Sequence, residues 1–235
     1  MAPSGKNDIQ RSVVLKRRPK GEPTPDHFEI VEAAVPQPGA GQVLTRTIWL
    51  SIDPYMRGRL KDVASYAAPV QIGEVMTGET IGEVIASGDP GFAPGDIVGG
   101  SRGWQSHTVS AAGALHKVDK GAAPLGAYLG VLGMPGTTAY SGMKDIGQPK
   151  KGETVVISAA AGAVGSVAGQ LAKRAGARVV GVAGGPDKCL WVQESLGFDA
   201  CVDHRVGNLD AALRDACPDG IDVYFENVGG ALQHA

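Results

Sequence analysis

Hydrophobic and polar residues alternate in short segments over the first half of the chain, with the period of about two that is typical of β-strands. These segments are rich in Val, Ile and Thr, and Gly- and Pro-containing clusters at 36–39 and 88–91 separate them. The pattern predicts strands joined by turns. The predicted strands cover residues 11–16, 28–35, 42–52, 73–87, 96–99 and 106–118. We expect a small, partly open β-barrel in residues 1–125, as the first of two domains.

The pattern changes at about residue 151, where strand-like and helix-like segments begin to alternate. After a strand at 154–158, apolar residues recur at the spacing of one helix face, at Val164, Val167, Ala168, Leu171, Ala172 and Ala175. Further strands are predicted at 178–183, 200–202 and 221–225, and helices at 186–196 and at 209–216 behind Asn208 as N-cap. Alternating strands and helices favour a doubly wound parallel sheet with right-handed crossovers in residues 126–235. The predicted fold class is therefore α/β.

The junction between the first of these strands and its helix consists almost entirely of small residues. Residues 155–173 read VVISAAAGAVGSVAGQLAK, in which Ala160, Gly162 and Gly165 occupy the positions of the dinucleotide-binding fingerprint. Gly162 would let the backbone approach a pyrophosphate, and Gly165 would let the helix pack closely on the sheet. The free N–H groups at the start of the helix favour phosphates. The alternative is close packing in a domain that binds no nucleotide.

The end of the second strand of this unit bears on the choice of cofactor. NAD-binding domains carry an acidic residue about 20 residues after the last glycine, where it binds the ribose hydroxyls. Here Gly184 and Gly185 occupy that place, and Lys188 follows shortly after. A lysine attracts the 2′-phosphate of NADP through a charge-assisted hydrogen bond, whereas an acid would repel it. The sequence therefore favours NADP over NAD.

Composition excludes several other classes of protein. The 235 residues carry a net charge of −2, so no basic field indicates nucleic acid or an anionic membrane. Three cysteines without C-x-x-C pairing argue against a disulfide framework and a structural zinc site. The N-terminal residues 1–21 lack the apolar core of a signal peptide, and no apolar run is long enough to span a membrane. We expect a cytoplasmic protein.

Six stretches together resemble one known family. They are LSIDPYMRGRL (50–60), GMPGTTAYSGM (133–143), AAAGAVGSVAGQLAK (159–173), GGPDK (184–188), LGFDACVDHR (196–205) and PDGIDVYFENVGG (218–230). In these stretches the chain resembles the medium-chain dehydrogenase/reductase superfamily. Within it, the chain resembles the zinc-independent branch of leukotriene B4 12-hydroxydehydrogenases, prostaglandin reductases, alkenal double-bond reductases and curcumin-reductase-like enzymes. This resemblance implies a GroES-like β-barrel joined to a Rossmann domain.

The resemblance also implies an activity and a set of site residues. The activity is NADPH-dependent reduction of the C=C bond of α,β-unsaturated ketones and aldehydes. The implied cofactor residues are Gly162, Ala163, Val164 and Gly165 at the pyrophosphate, Lys188 at the 2′-phosphate, Asn227 at the nicotinamide half, and Met134 and Thr138 in the nicotinamide pocket. His204 stands where the family usually has a tyrosine that holds the 2′-phosphate. Tyr55 would face the substrate, or would only tie a short helix to the barrel.

No metal is expected. Zinc-dependent relatives carry a histidine ligand in a Gly-His-Glu-x-x-Gly stretch, and here the corresponding residue is Gly78. Their cysteine ligand falls at about Leu50 or Ser51. Because a catalytic zinc ion needs three protein ligands, the sequence predicts a zinc-independent protein.

Family members run roughly a hundred residues longer, so the resemblance implies that the last Rossmann strands and the usual edge of the homodimer are missing from this chain. Two alternatives stay open at this point. The chain would bind NADPH without catalysis, as a sensor or binding partner, or it would reduce quinones instead of enones and enals.

Overall fold

The computed structural model describes residues 9–205 and 207–234. The first eight residues, which belong to the stretch considered for a signal peptide, lie outside the described part. The chain divides into two compact units, Met1–Leu129 and Gly130–Ala235. None of the helices in the described ranges is long and apolar enough to cross a membrane.

The first unit consists mainly of antiparallel strands, as the alternating pattern predicted. Its elements are β1 (Ile9–Leu15), β2 (Phe28–Ala34), β3 (Gln42–Leu50), α1 (Met56–Arg59), β4 (Glu79–Ser87), β5 (Ile97–Ser101), β6 (His107–Ala111) and β7 (His116–Lys117). Strands β1 and β2 form a two-stranded sheet, and the other five pair in the order β6-β3-β4-β5-β7. Single bridges from Ser12 to Gln105 and from Val14 to Val75 connect β1 to the rest of the unit.

Two predicted strands of this unit are shorter than expected. The segment 73–87 forms a strand only from Glu79, because Gly73 has a positive φ of 88° and a turn closes between Glu74 N and Gln71 O at 3.0 Å. The segment 106–118 is interrupted by a 3₁₀ turn at Ala112–Ala114. Turn hydrogen bonds therefore override the alternation of side chains at both places.

The second unit has the alternating architecture that the sequence predicted. Its elements are α2 (Met134–Ser141) with a π-helical turn at Gly142–Gly147, β8 (Thr154–Ile157), α3 (Ala163–Arg174), β9 (Arg178–Ala183), α4 (Pro186–Leu196), β10 (Ala200–Asp203), α5 (Leu209–Ala216), β11 (Val223–Phe225) and α6 (Ala231–His234). Its four strands are parallel and pair in the order β10-β9-β8-β11. The predicted N-cap of α5 is confirmed, since Asn208 Oδ1 accepts a hydrogen bond from Ala211 N at 3.2 Å.

Apolar cores cover both faces of this parallel sheet. Val155 and Ile157 of β8 pack in one core with Ala168 of α3, whereas Val156 packs in a second core with Leu213 of α5. Residues that alternate along a strand point to opposite faces, so a strand buried on both faces reads as a continuous apolar run. The middle of the sheet is therefore covered on both faces, and the residues that follow each strand are available for a site.

Candidate functional site

A crevice lies outside the carboxyl ends of the four parallel strands. The order β10-β9-β8-β11 means that the chain proceeds from β8 to one side of the sheet and later returns to the other side. Ligands of doubly wound sheets bind at this point, where the strand order reverses. The crevice has a cavity volume of about 490 Å³. It is lined by Ala159, Ala161, Gly162, Ala183, Gly184, Lys188, His204, Arg205, Leu209, Val228, Gly229 and Leu232.

The turn between β8 and α3 forms one wall of the crevice. Gly162 is the N-cap of α3, and Ala163, Val164 and Gly165 form the first turn of that helix. The first N–H groups of a helix have no partner within it and carry the positive end of its dipole. A Cβ atom at Gly165 would lie 2.4 Å from Ala159 O, so only glycine allows the helix to pack this closely on the turn. This wall suits an anion.

Two cationic side chains and an imidazole converge where β9 and β10 end. Lys188, His204 and Arg205 are exposed and line the same part of the crevice. A methyl group added at Gly184 would lie 2.9 Å from His204 Nε2 and 3.0 Å from Arg205 Nε. Both side chains therefore lie against the backbone of the β9–α4 turn, where a larger residue than glycine would displace them.

The carboxylate of Asp203 ties this turn to β10. Its Oδ1 accepts hydrogen bonds from Gly185 N at 2.9 Å and from Arg205 N at 3.0 Å. These two backbone hydrogen bonds, opposed by a smaller effect of desolvation, hold the pKa of Asp203 below its ordinary value. Gly185 has a φ of 101°, a conformation that favours glycine, and it begins α4 directly before Pro186. Asp203 thus fixes the turn that carries the cations.

Arg205 is a residue that the sequence reasoning missed. The resemblance points only to the position of the family's tyrosine, which His204 occupies. The available signal was a cation directly after His204, at the end of a strand that lies beside β9.

Asn227 lies two residues after β11, next to the lining residues Val228 and Gly229. Its backbone N donates to Ser158 Oγ at 2.6 Å, and its Nδ2 donates to Ser158 O at 2.9 Å. Ser158 is fully buried at the end of β8. The amide of Asn227 is therefore fixed beside Val228 and Gly229, which line the crevice.

Met134 and Thr138 are exposed residues of α2. Thr138 Oγ1 donates to Met134 O at 2.8 Å, one helical turn away. Neither residue belongs to the lining of the 490 Å³ crevice. Their place in a nicotinamide pocket remains a prediction.

Tyr55 belongs to the first unit, where it is the residue before α1. The Arg59 guanidinium carbon lies 5.6 Å from the centroid of its ring. Desolvation raises the pKa of the Tyr55 phenol, although a hydrogen bond with the Thr77 side chain and the charge of Arg59 oppose the shift. The phenol is therefore neutral at physiological pH and can donate a hydrogen bond. Its role toward a substrate remains a prediction.

The position of the zinc ligand in zinc-dependent relatives is filled by apolar packing. A Cβ atom at Gly78 would lie 2.9 Å from Trp104 Cδ1 and 3.1 Å from Leu50 Cδ1. No cluster of three or more His, Cys, Asp or Glu side chains that could hold a metal ion occurs within residues 9–205 and 207–234. A histidine at position 78 would have to displace the indole.

Two families match the chain in sequence. The family described as "N-terminal domain of oxidoreductase" matches residues 11–118, and the one described as "Zinc-binding dehydrogenase" matches residues 163–235. The two matches fall in the two compact units.

Curated relatives are similar over nearly the whole chain. The NADPH-dependent curcumin reductase of Escherichia coli is 52% identical over 94% of this chain and 64% of its own length. Mouse prostaglandin reductase 1 is 43% identical over 96% of the chain and 67% of its own length. The 2-alkenal reductase (NADP(+)-dependent) of tobacco is 41% identical, with the same coverage. The chain thus spans about two thirds of the length of these relatives.

A solved structure shows the same fold. CurA from Vibrio vulnificus in complex with NADPH is 46% identical, with a TM-score of 0.91 over 95% of this chain and 66% of that one. The predicted combination of a GroES-like barrel and a Rossmann domain is confirmed by such neighbours. The chain therefore belongs to the medium-chain dehydrogenase/reductase superfamily, in the family of the curcumin, alkenal and prostaglandin reductases.

Proposed function

We propose that the chain binds NADPH and acts as the reductase of C=C bonds conjugated to a ketone or aldehyde. One observation carries the cofactor assignment: the cations of Lys188 and Arg205, with the imidazole of His204, line the crevice at the turn after β9, at which NAD-binding domains place an acid. A 2′-phosphate carries up to two negative charges, and charge-assisted hydrogen bonds to lysine or arginine are the strong ones. The names of the relatives, and the NADPH complex of CurA, point to the same cofactor.

The residues in and beside the crevice can each be assigned to one part of such a dinucleotide. Lys188, His204 and Arg205 would hold the adenosine 2′-phosphate at one end. The N-terminus of α3 behind Gly162 would bind the pyrophosphate in the middle, where the backbone can approach closely. Asn227 would contact the nicotinamide half at the other end, and Met134 and Thr138 would line that pocket.

Bound NADPH supplies the hydride that the β-carbon of the conjugated C=C bond accepts. The chain's own contribution is to orient the reactants and to stabilise the negative charge that develops on the substrate oxygen. We assign the donation of a hydrogen bond to that oxygen to the neutral phenol of Tyr55. A proton from solvent or a side chain then reaches the α-carbon, which gives the saturated ketone or aldehyde.

The test is the loss of NADPH absorbance with a small enone, with a small enal, with a quinone and without an acceptor. The proposal predicts turnover of the enone and the enal. Tyr55→Phe should lower kcat by about 10- to 100-fold, at or below the lower limit of the loss found when one oxyanion-hole donor is removed. Binding of NADPH without turnover of any acceptor would contradict the enzymatic part and favour a binding module. Turnover of the quinone alone would favour the quinone reductase.

A further inference from the structure

The carboxylate of Glu226 accepts four hydrogen bonds at the end of the parallel sheet. Glu226 follows β11 directly. Its Oε1 accepts from Gly229 N at 2.8 Å, from Ser158 Oγ at 3.0 Å and from Val228 N. Its Oε2 accepts from the Tyr224 hydroxyl. Four donors thus surround one side chain at the point where the chain leaves the sheet.

These hydrogen bonds shape the wall of the crevice at the Asn227 end. Val228 and Gly229 line the crevice, and their N–H groups are directed at the carboxylate. The turn of residues 226–229 is therefore folded around Glu226. Without an acceptor at its centre, two neighbouring backbone donors would lose their partner together.

The same carboxylate reaches Asn227 through Ser158. The Ser158 hydroxyl contacts Glu226 Oε1 and accepts from Asn227 N, while the Ser158 carbonyl accepts from the Asn227 amide. Because Ser158 is fully buried, the orientation of its hydroxyl is restricted. Glu226 thus acts on the backbone of Asn227 through the Ser158 hydroxyl, while the Ser158 carbonyl holds the Asn227 side chain.

The ionisation states of the pair keep this network intact. Desolvation would raise the pKa of Glu226, but the hydrogen bonds from Tyr224, Gly229, Val228 and Ser158 outweigh it and hold the pKa at about 2. Desolvation and the nearby carboxylate raise the pKa of Tyr224 to about 12. At physiological pH the carboxylate only accepts and the phenol donates.

We propose that Glu226 is the positioning residue of the nicotinamide end of the crevice, holding Asn227 and the Val228–Gly229 wall in the geometry that binds this half of the cofactor. The assignment rests on the proposed binding of NADPH. Glu226 is not among the residues near Gly184. A substitution of Glu226 should therefore affect binding of the nicotinamide half of the cofactor and leave binding at the cation end unchanged.

The experiment measures dissociation constants for two ligands, NADPH and adenosine 2′,5′-bisphosphate, which contains only the end that the cations hold. Glu226→Ala should weaken NADPH binding by about tenfold, the size of one or two lost hydrogen bonds to a charged group. It should change the binding of the bisphosphate by less than about twofold. Glu226→Gln should recover part of the loss, because its amide oxygen still accepts from both backbone N–H groups.

The outcomes distinguish the inference from the function on which it rests. If the parent protein binds neither ligand, the proposed function is wrong and the inference falls with it. Suppose that the parent binds both ligands. If Glu226→Ala then weakens the binding of both ligands equally, or weakens the binding of neither, the positioning role alone is wrong. If Glu226→Ala does not fold, Glu226→Gln decides: a loss of about threefold for NADPH alone supports the role, and an unchanged affinity contradicts it.

Discussion

The two ends of the crevice are built on different principles. At the cation end, Lys188, His204 and Arg205 are exposed side chains; Lys188 lies in the first turn of α4, and the other two follow β10. At the other end, Asn227 is fixed through Ser158 and Glu226 by hydrogen bonds that join the ends of β8 and β11. One end presents charge on exposed side chains, whereas the other has a shape that is held by hydrogen bonds.

This difference implies that the choice between NADPH and NADH and the placement of the bound nicotinamide half are controlled at separate ends of the crevice. Exposed cations contribute mainly by attracting an anion, and their effect is screened by salt. A hydrogen-bonded network around a carboxylate contributes by pre-organisation, and removing its centre leaves several donors without partners. Substitutions at the first end should change which cofactor binds, and substitutions at the second should change how it is held.

The largest expected effect is at the cation end. We expect the double variant Lys188→Ala/Arg205→Ala to lower the preference for NADPH over NADH by about 100-fold, and each single variant by about tenfold, because each removes a charge-assisted hydrogen bond. Dissociation constants for both cofactors at one ionic strength check this. Lys150→Ala is the matched control, since Lys150 is an exposed lysine outside the crevice lining. A double variant that keeps the parent's ratio would show that the cations do not touch the 2′-phosphate.

A smaller effect is expected at the network end, in the pH dependence of stability. The pKa of Glu226 is about 2 in the folded protein against an ordinary 4.5, so the ionised form is favoured by folding. This contribution is complete above the unfolded pKa and is lost as pH falls through the folded pKa. The melting temperature of the parent should exceed that of Glu226→Gln at pH 6, and the difference should shrink as pH falls toward about 2. A difference that stays constant between these pH values would contradict the ionised network.

No effect is expected from the removal of metal. Because Trp104 and Leu50 fill the space at Gly78, exhaustive chelation should leave NADPH binding and turnover unchanged. Elemental analysis before and after chelation is the measurement. Stoichiometric zinc, with a loss of turnover on its removal, would contradict the account.

The sequence predicted the cation end better than the network end, for a physical reason. Lys188 and the absent acid could be identified because the fingerprint fixes their distance along the chain from Gly165. The helix α3 and the strand β9 followed from periodicity alone. Arg205 was missed because its approach to Gly184 depends on the pairing of β10 with β9, which residue spacing does not encode.

The Glu226 network could not be predicted at all from one sequence. Ser158 and Glu226 are 68 residues apart and meet only because β8 and β11 are neighbours in the sheet. The shortened strand after Gly73 has a similar origin, since its turn hydrogen bonds compete with the alternation of side chains. Contacts set by topology are invisible to local patterns, whereas residue types at fixed spacing are not.

The most direct test is the ratio of the dissociation constants of NADPH and NADH for the parent chain, measured by titration at one pH and one ionic strength. We expect NADPH to bind at least about 100-fold more tightly, because the 2′-phosphate gains charge-assisted hydrogen bonds that NADH cannot make. Equal affinities, or tighter binding of NADH, would contradict the assignment of Lys188, His204 and Arg205 to the 2′-phosphate.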